Sequence, residues 1–155
     1  MESLHNDPVE IYNKIWYFLE DGVKDRNSPF HTPTLITLEN NNPSARTLVL
    51  RGVDRESETL RFHTDKRSKK IEQINSNPNS VIHIYSQNEK LQLRFKSNLT
   101  LHTDGLLVDD AWEKSYGMSK ICYQISDTPG TVIKNQDGYE YVPKENHDGK
   151  DNFIV

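Results

Sequence analysis

The stretch RTLVLRGVDRESETLRFHTDKRSKK, residues 46–70, decides how this chain is read. Arg46–Val53 (RTLVLRGV) and Thr59–Thr64 (TLRFHT) are rich in alternating and β-branched residues. Asp54–Ser57 between them has turn chemistry short enough for an antiparallel hairpin. The strand pattern then stops. Ser68–Asn75 (SKKIEQIN) places Ile71 and Ile74 three apart and ends before Asn77 and Pro78, which predicts a short helix between two strands.

Working outward, Thr34–Glu39, Val81–Ser86 and Leu91–His102 read as three more strands, with turns at Asn40–Pro43 and Gln87–Lys90. Such short connections favour local pairing in a meander or barrel. Before them, Asp7, Pro8 and Glu10 read as an N-cap, a first-turn proline and a capping-box carboxylate. Ile11, Ile15, Trp16, Leu19 and Val23 then form one apolar stripe, predicting a helix over 8–25 that covers a sheet. After the strands, Leu106–Tyr116 has a helical stripe, Asp127–Asp151 reads as loop, and Phe153–Val155 is a strand-like stub. The fold class is mainly β with flanking helices. It is one domain over 1–155, with barrel strands from about residue 30 to 102 and a helical and loop region over 106–150.

Bulk properties narrow the function. A hydrophobic fraction of 34% against 27% charged residues is polar but short of disorder, so a modest core is expected, with room for a partner subunit to complete it. The net charge of −4 argues against binding nucleic acid or acidic membrane by bulk electrostatics, so any anion site must be local. Cys122 is the single cysteine and cannot make an internal disulfide, and no signal peptide opens the chain; a cytoplasmic location is expected. No apolar run approaches the ~18 residues of a membrane span.

Within this acidic chain the cations gather in two places. Arg46 and Arg51 share one predicted strand, and Lys66, Arg67, Lys69 and Lys70 surround the start of the short helix. Lysines in a first helical turn oppose the helix dipole by roughly 0.3–1 kcal/mol each, which a bound anion offsets. Ser68 followed by Lys69 and Lys70 therefore predicts a phosphate held by main-chain and charged donors together, against the plainer reading of a solvated charged turn. Arg46 and Arg51 point to opposite faces of a regular strand, so serving one ligand requires a bulge, a second ligand or a second subunit.

Taken in order, P-S-A-R-T-L-V-L-R-G (Pro43–Gly52), F-H-T-D-K-R-S-K-K (Phe62–Lys70), N-P (Asn77, Pro78) and L-Q-L-R (Leu91–Arg94) resemble the pyridoxamine 5′-phosphate oxidase family of flavin-binding split barrels. In that family an arginine-led strand, a strand ending in aromatic-Thr-Asn, a Ser-Arg-Lys turn and an Arg-Gln-Val strand surround flavin mononucleotide (FMN). The resemblance implies an antiparallel split β-barrel, a homodimer with FMN at the subunit interface, and oxidoreductase chemistry on a small phosphorylated substrate such as pyridoxamine or pyridoxine phosphate. It places Arg46, Lys69 and Lys70 at the flavin phosphate, with Thr64 and Ser68 assisting by hydrogen bonds. Gln92 approaches the isoalloxazine ring, and backbone groups of Val49 and Leu50 line its edge. Thr47, Arg51 and His63 fall within the same motifs and complete the implied cofactor set. No residue is assigned a catalytic role.

Three departures bear on the reaction. Arg51 stands where the oxidases have a lysine linked to flavin and substrate, and a planar guanidinium presents a different fork. Trp112, Ser119-Lys120-Ile121-Cys122-Tyr123 and Pro129-Gly130 are similar to a W…S-R-x-x-Y…P-G pattern of an oxidase-like subfamily, with lysine for arginine. Asn152–Val155 resembles the beginning of a family strand that continues into a segment with the substrate-binding arginine and histidine, so a barrel edge left for a partner to cover is expected. Two rival functions follow. One is a non-catalytic flavin- or haem-binding module. The other is a small-barrel single-stranded nucleic-acid binder using Lys66–Lys70 with Tyr85 or Phe95, which the negative charge opposes.

The remaining candidates read as structural. His5, His31, His63, His83, His102 and His147 show no metal-ligand spacing, so no metal is expected. His83 alternates with Ile82 and Ile84, facing solvent or the opposite side of the sheet, and reads as an ordinary exposed histidine; Cys122 reads as a buried small hydrophobe, and Trp112 with Tyr116 as a helical packing pair.

Overall fold

The computed structural model describes residues 7–135 and 147–155, and it opens on helix α1, Pro8–Lys24. The Asp7 carboxylate accepts the Val9 N–H at 2.8 Å, and Pro8 occupies the first turn, where no N–H is needed. Of the expected stripe, Trp16 and Leu19 are buried and Ile15 and Val23 pack beside them, whereas Ile11 stays exposed. Phe18 also turns inward and stacks on Phe30 with ring centroids 5.0 Å apart. Gly22 permits this approach: a Cβ there would lie 2.7 Å from the Cβ of Phe30.

The strands among the described residues are β1 (Thr34–Glu39), β2 (Asn42–Thr47), β3 (Leu50–Asp54), β4 (Thr59–Phe62), β5 (Thr64–Asp65), β6 (Asn79–Ser86), β7 (Leu91–Asn98) and β8 (Phe153–Ile154). They form a sheet of order β2-β1-β6-β7 and two-stranded sheets β3-β4 and β5-β8, with antiparallel pairing of β1 with β6, β3 with β4 and β5 with β8. Helices α2 (Lys70–Ser76), α3 (Leu106–Glu113) and α4 (Gly117–Ile121) accompany them. The architecture is mainly antiparallel sheet with flanking helices. Its sheets are open, where the sequence predicted a barrel.

Long-range hydrogen bonds explain where the strand readings shift. The single strand expected over Arg46–Val53 breaks at Leu48 and Val49, because the Leu48 N–H donates to the Pro33 carbonyl at 3.0 Å and the Leu50 N–H to the His31 carbonyl at 2.8 Å. The turn expected at Asn40–Pro43 tightens to Asn40 and Asn41, both left-handed (φ 50° and 66°), the conformation two-residue hairpins require and asparagine tolerates. Pro43 therefore sits inside β2, an edge strand, where its missing N–H is harmless. The expected strand over Thr59–Thr64 stops at Phe62, and Thr64 and Asp65 pair instead with Ile154 and Phe153.

Contacts divide the chain into two compact units. The first comprises Met1–Ile36 (described from Asp7), Pro43–Phe62 and Ser80–Ser97. Its core is Trp16, Leu19, Phe30, Leu50, Ile84 and Leu93, and burying a large apolar side chain stabilises by roughly 1.5–3 kcal/mol. His83, between the buried Ile82 and Ile84 on β6, is half-buried where an exposed histidine was expected.

The second unit comprises Thr37–Asn42, His63–Asn79 and Asn98–Val155 and is built around Phe153. Trp112 and Tyr123 meet that ring edge-on, each with centroids 5.2 Å away. The stub is thus core and paired strand at once; Val155 exchanges backbone hydrogen bonds with His102. Tyr116, expected to pair with Trp112 along one helix, lies beyond α3, which ends at Glu113, and is 69% exposed. Cys122, expected to be buried, is exposed at the start of a 3₁₀ turn whose next residues, Tyr123 and Gln124, face inward; its thiol donates to the Ser119 carbonyl at 3.0 Å. His5 and residues 136–146 of the expected loop lie outside the described residues.

Candidate functional site

In the second unit, β5 runs into a turn over Lys66–Lys69 and then α2. The Ser68 N–H donates to the Asp65 carbonyl at 3.1 Å and the Ile71 N–H to the Ser68 carbonyl at 3.0 Å, so the helix begins at Lys70 and these two amides are already used. The expected main-chain cradle at a helix N-terminus is reduced accordingly. Lys70 supplies what remains: its Nζ folds back and donates to Thr64 Oγ1 at 2.8 Å and Ser68 Oγ at 2.7 Å. An ammonium occupying a lone pair on each hydroxyl leaves both hydroxyl protons directed elsewhere, so one cation and two O–H donors are held together. Beneath them α2 is anchored by a buried bond from Thr37 Oγ1 to Gln73 Oε1 at 2.6 Å.

The other cations of the cluster behave differently. Lys66 and Lys69 are exposed. Arg67 is bound to Asp65 through Nη2 at 2.7 Å and Nε at 2.9 Å, and the hydrogen bond to Asp65 raises its pKa further above its ordinary value despite partial burial. Its Nη1 reaches the Ile125 carbonyl at 2.9 Å. His63 turns its ring edge-on to Phe153, 4.9 Å between centroids, and so packs with the aromatic core of this unit.

In the first unit, Arg46 is half-buried on β2, and its Nη2 donates to Ser44 Oγ at 2.8 Å. Thr47 is exposed and Val49 half-buried. Leu50 is fully buried, and its N–H is committed to His31, so only its carbonyl could serve as the expected lining group. Arg51 is the extra residue of a β-bulge: Leu50 opposes Phe62 and Gly52 opposes Arg61, leaving Arg51 without a cross-strand partner. The break at Leu48 and Val49 and this bulge together remove the strict alternation that set Arg46 and Arg51 on opposite faces. The Arg61 guanidinium lies against Gly52, where a Cβ would stand 2.8 Å from its Nε. Gln92 is exposed on β7.

The structure thus brings Thr64, Ser68 and Lys70 together within one unit, and Val49, Leu50 and Arg51 around a strand break and bulge within the other. What sequence reasoning missed is the partnership of Asp65 with Arg67 and of Thr37 with Gln73. The D-x-R spacing at a strand end is a readable sign of the former; the latter joins distant segments and leaves no local sign. Among the described residues no group of three or more His, Cys, Asp or Glu is placed to hold a metal ion. No described helix is long and apolar enough to cross a membrane.

Comparison with known proteins matches residues 13–103 to the family model described as pyridoxamine 5′-phosphate oxidase, FMN-binding domain. A pyridoxine/pyridoxamine 5′-phosphate oxidase of Leptospira interrogans is 29% identical over 101 residues, 64% of this chain but only 45% of the relative. Pyridoxine/pyridoxamine 5′-phosphate oxidase 2 of Arabidopsis thaliana is 26% identical over 138 residues, covering 82% of this chain and 69% of that protein. Among solved structures, a pyridoxamine 5′-phosphate oxidase-related, FMN binding protein of Nostoc punctiforme superposes with a TM-score of 0.66 at 27% identity, covering 92% of this chain and 76% of the other. PhzG of Burkholderia lata superposes with a TM-score of 0.62 at 16% identity, over 86% and 64% of the two chains, which shows a shared fold. This chain belongs to the pyridoxamine 5′-phosphate oxidase family, through its FMN-binding domain.

Proposed function

We propose that this chain is one FMN-binding split-barrel domain that acts, as a homodimer, in oxidoreductase chemistry on a small phosphorylated substrate. The observation that carries the reading is the triad of Lys70 with Thr64 and Ser68, whose donors suit a phosphate monoester in charge and chemistry. Lys69 is exposed in the same turn, and Arg46 is assigned to the phosphate by the resemblance alone. To the ring the reading assigns Thr47, Val49, Arg51 and Gln92, with the carbonyl of Leu50, and it keeps His63, whose ring packs on Phe153, in the cofactor set.

Bound flavin supplies the capacity to accept a hydride. The protein's part is to hold the phosphate, to orient the ring and to place Arg51 where a substrate anion meets a planar fork. A phosphorylated amine or alcohol of the pyridoxamine or pyridoxine phosphate type is the substrate class this favours. A second reading, flavin binding without turnover, is favoured by Arg51, which the resemblance aligns with a lysine of the oxidases and which sits in the β3 bulge.

Purified protein reconstituted with FMN and offered pyridoxamine 5′-phosphate in an oxygen electrode tests the proposal. Flavin absorption bands with substrate-dependent oxygen uptake support it. Bands without uptake support the second reading, and absence of bands after reconstitution overturns both.

A further inference from the structure

Of the four cations in the Lys66–Lys70 turn, Arg67 is committed to protein partners. Asp65 is 7% exposed, and its carboxylate accepts from Arg67 three times over: the backbone N–H at 2.8 Å, Nε at 2.9 Å and Nη2 at 2.7 Å. The Arg67 Nη1 then donates to the carbonyls of Ile125 at 2.9 Å and Ser126 at 3.3 Å. The same turn is held from another side, because the Lys66 N–H donates to the Asn152 carbonyl at 2.8 Å and Asp65 pairs with Phe153 in the β5-β8 ladder. Four cations within five residues, Lys66–Lys70, repel one another, and the Asp65 carboxylate is a counter-charge set directly against one of them, adding to the backbone bonds that hold the turn.

We propose that Asp65 and Arg67 form a positioning clamp that fixes the Lys66–Lys70 turn, so that Ser68 and Lys70 meet the flavin phosphate, and that Arg67 is not itself a phosphate ligand. The inference rests on the FMN reading and assigns roles it does not contain. Arg67 acts through Ser68 and Lys70: its planar fork satisfies a nearly buried carboxylate while its remaining donors tie the turn to Ile125 and Ser126. Lysine cannot reproduce this, having one nitrogen in place of three. Because the clamp shapes only the phosphate end, its loss bears on flavins that carry a phosphate and not on the ring.

The test is equilibrium titration of wild type, Asp65→Asn, Arg67→Lys and the double variant with FMN and, separately, with riboflavin, read by flavin fluorescence. The expected result is an FMN affinity lower by about tenfold in each single variant, the scale of one charge-assisted hydrogen bond. Riboflavin affinity is expected to be unchanged, and the double variant no worse than either single one, since all three break the same clamp. Equal loss for FMN and riboflavin overturns the proposal in favour of general structural damage. Tighter FMN binding by Asp65→Asn overturns it in favour of Arg67 as a phosphate ligand released from its partner, and unchanged affinities remove the clamp altogether. A wild-type chain that binds FMN separates these failures from failure of the FMN reading, which shows in the wild type alone.

Discussion

Lys70 reaches back across the turn to Thr64, its Nζ 2.8 Å from the Thr64 hydroxyl, and so joins the end of β5 to the start of α2 through a single side chain. A lysine at that point of a helix is unfavourable by its position and is made acceptable by folding away from the helix axis onto two hydroxyls.

Replacing Lys70 by methionine keeps the length of the side chain and removes its charge and its three donors. FMN affinity is expected to fall by about ten- to a hundredfold, the equivalent of one or two charge-assisted hydrogen bonds. Lys69→Met, at an exposed position, is expected to have the smaller effect. Isothermal titration of both variants checks the order; a larger loss at Lys69 would move the phosphate outward from the turn.

Affinity for FMN is also expected to depend on pH. A phosphate monoester loses its second proton near pH 6, so below that value the ligand presents one negative charge in place of two. Binding therefore weakens as pH falls from 8 to 5, while riboflavin, which has no such group, shows no matching change. Parallel titrations across that range measure it, and identical pH profiles for the two flavins would place the phosphate away from Lys70.

Phe153→Ala removes the ring that Trp112, Tyr123 and His63 all touch. The residue is 1% exposed, and truncating a buried phenylalanine costs about 3–5 kcal/mol. Chemical denaturation followed by tryptophan fluorescence is expected to show a loss of unfolding free energy of that size; a loss below about 1 kcal/mol would mean the second unit does not depend on this core.

Gly22→Ala sets two effects against each other. Alanine favours a helix interior over glycine by about 1 kcal/mol. The new Cβ, however, would stand 2.7 Å from the Phe30 Cβ and 2.8 Å from its backbone carbon, and overpacking of this kind costs about 1–3 kcal/mol. Net destabilisation is expected, because backbone and a stacked ring cannot move aside as a flexible chain end does; a raised melting temperature would show that α1 shifts freely.

How far the sequence was legible follows from how local each cause is. Helix α1 was readable because Asp7, Pro8 and the Trp16 and Leu19 stripe act within a few turns, and β1 and β6 because alternation is a neighbour-to-neighbour property. The break at Leu48 and Val49 was not, since it is made by the carbonyls of Pro33 and His31, and the bulge at Arg51 depends on its partner strand. At the site, Ser68 and Lys70 were readable as a motif. The pairing of Arg67 with Asp65 has a local sign in the D-x-R spacing, whereas its bonds to Ile125 and Ser126 were hidden, because those carbonyls lie far along the chain. The role of Phe153 was hidden for the same reason as the break: its partners lie on β5, α3 and the 3₁₀ turn, far away in the chain.

The central claim, that Thr64, Ser68 and Lys70 hold the phosphate of a bound flavin, is tested most directly by titrating the wild-type protein with FMN and with riboflavin under the same conditions. The expected result is saturable quenching of flavin fluorescence at one FMN per chain, with riboflavin bound at least about tenfold more weakly for want of its phosphate. No saturable binding of FMN, or equal affinity for the two flavins, would contradict it.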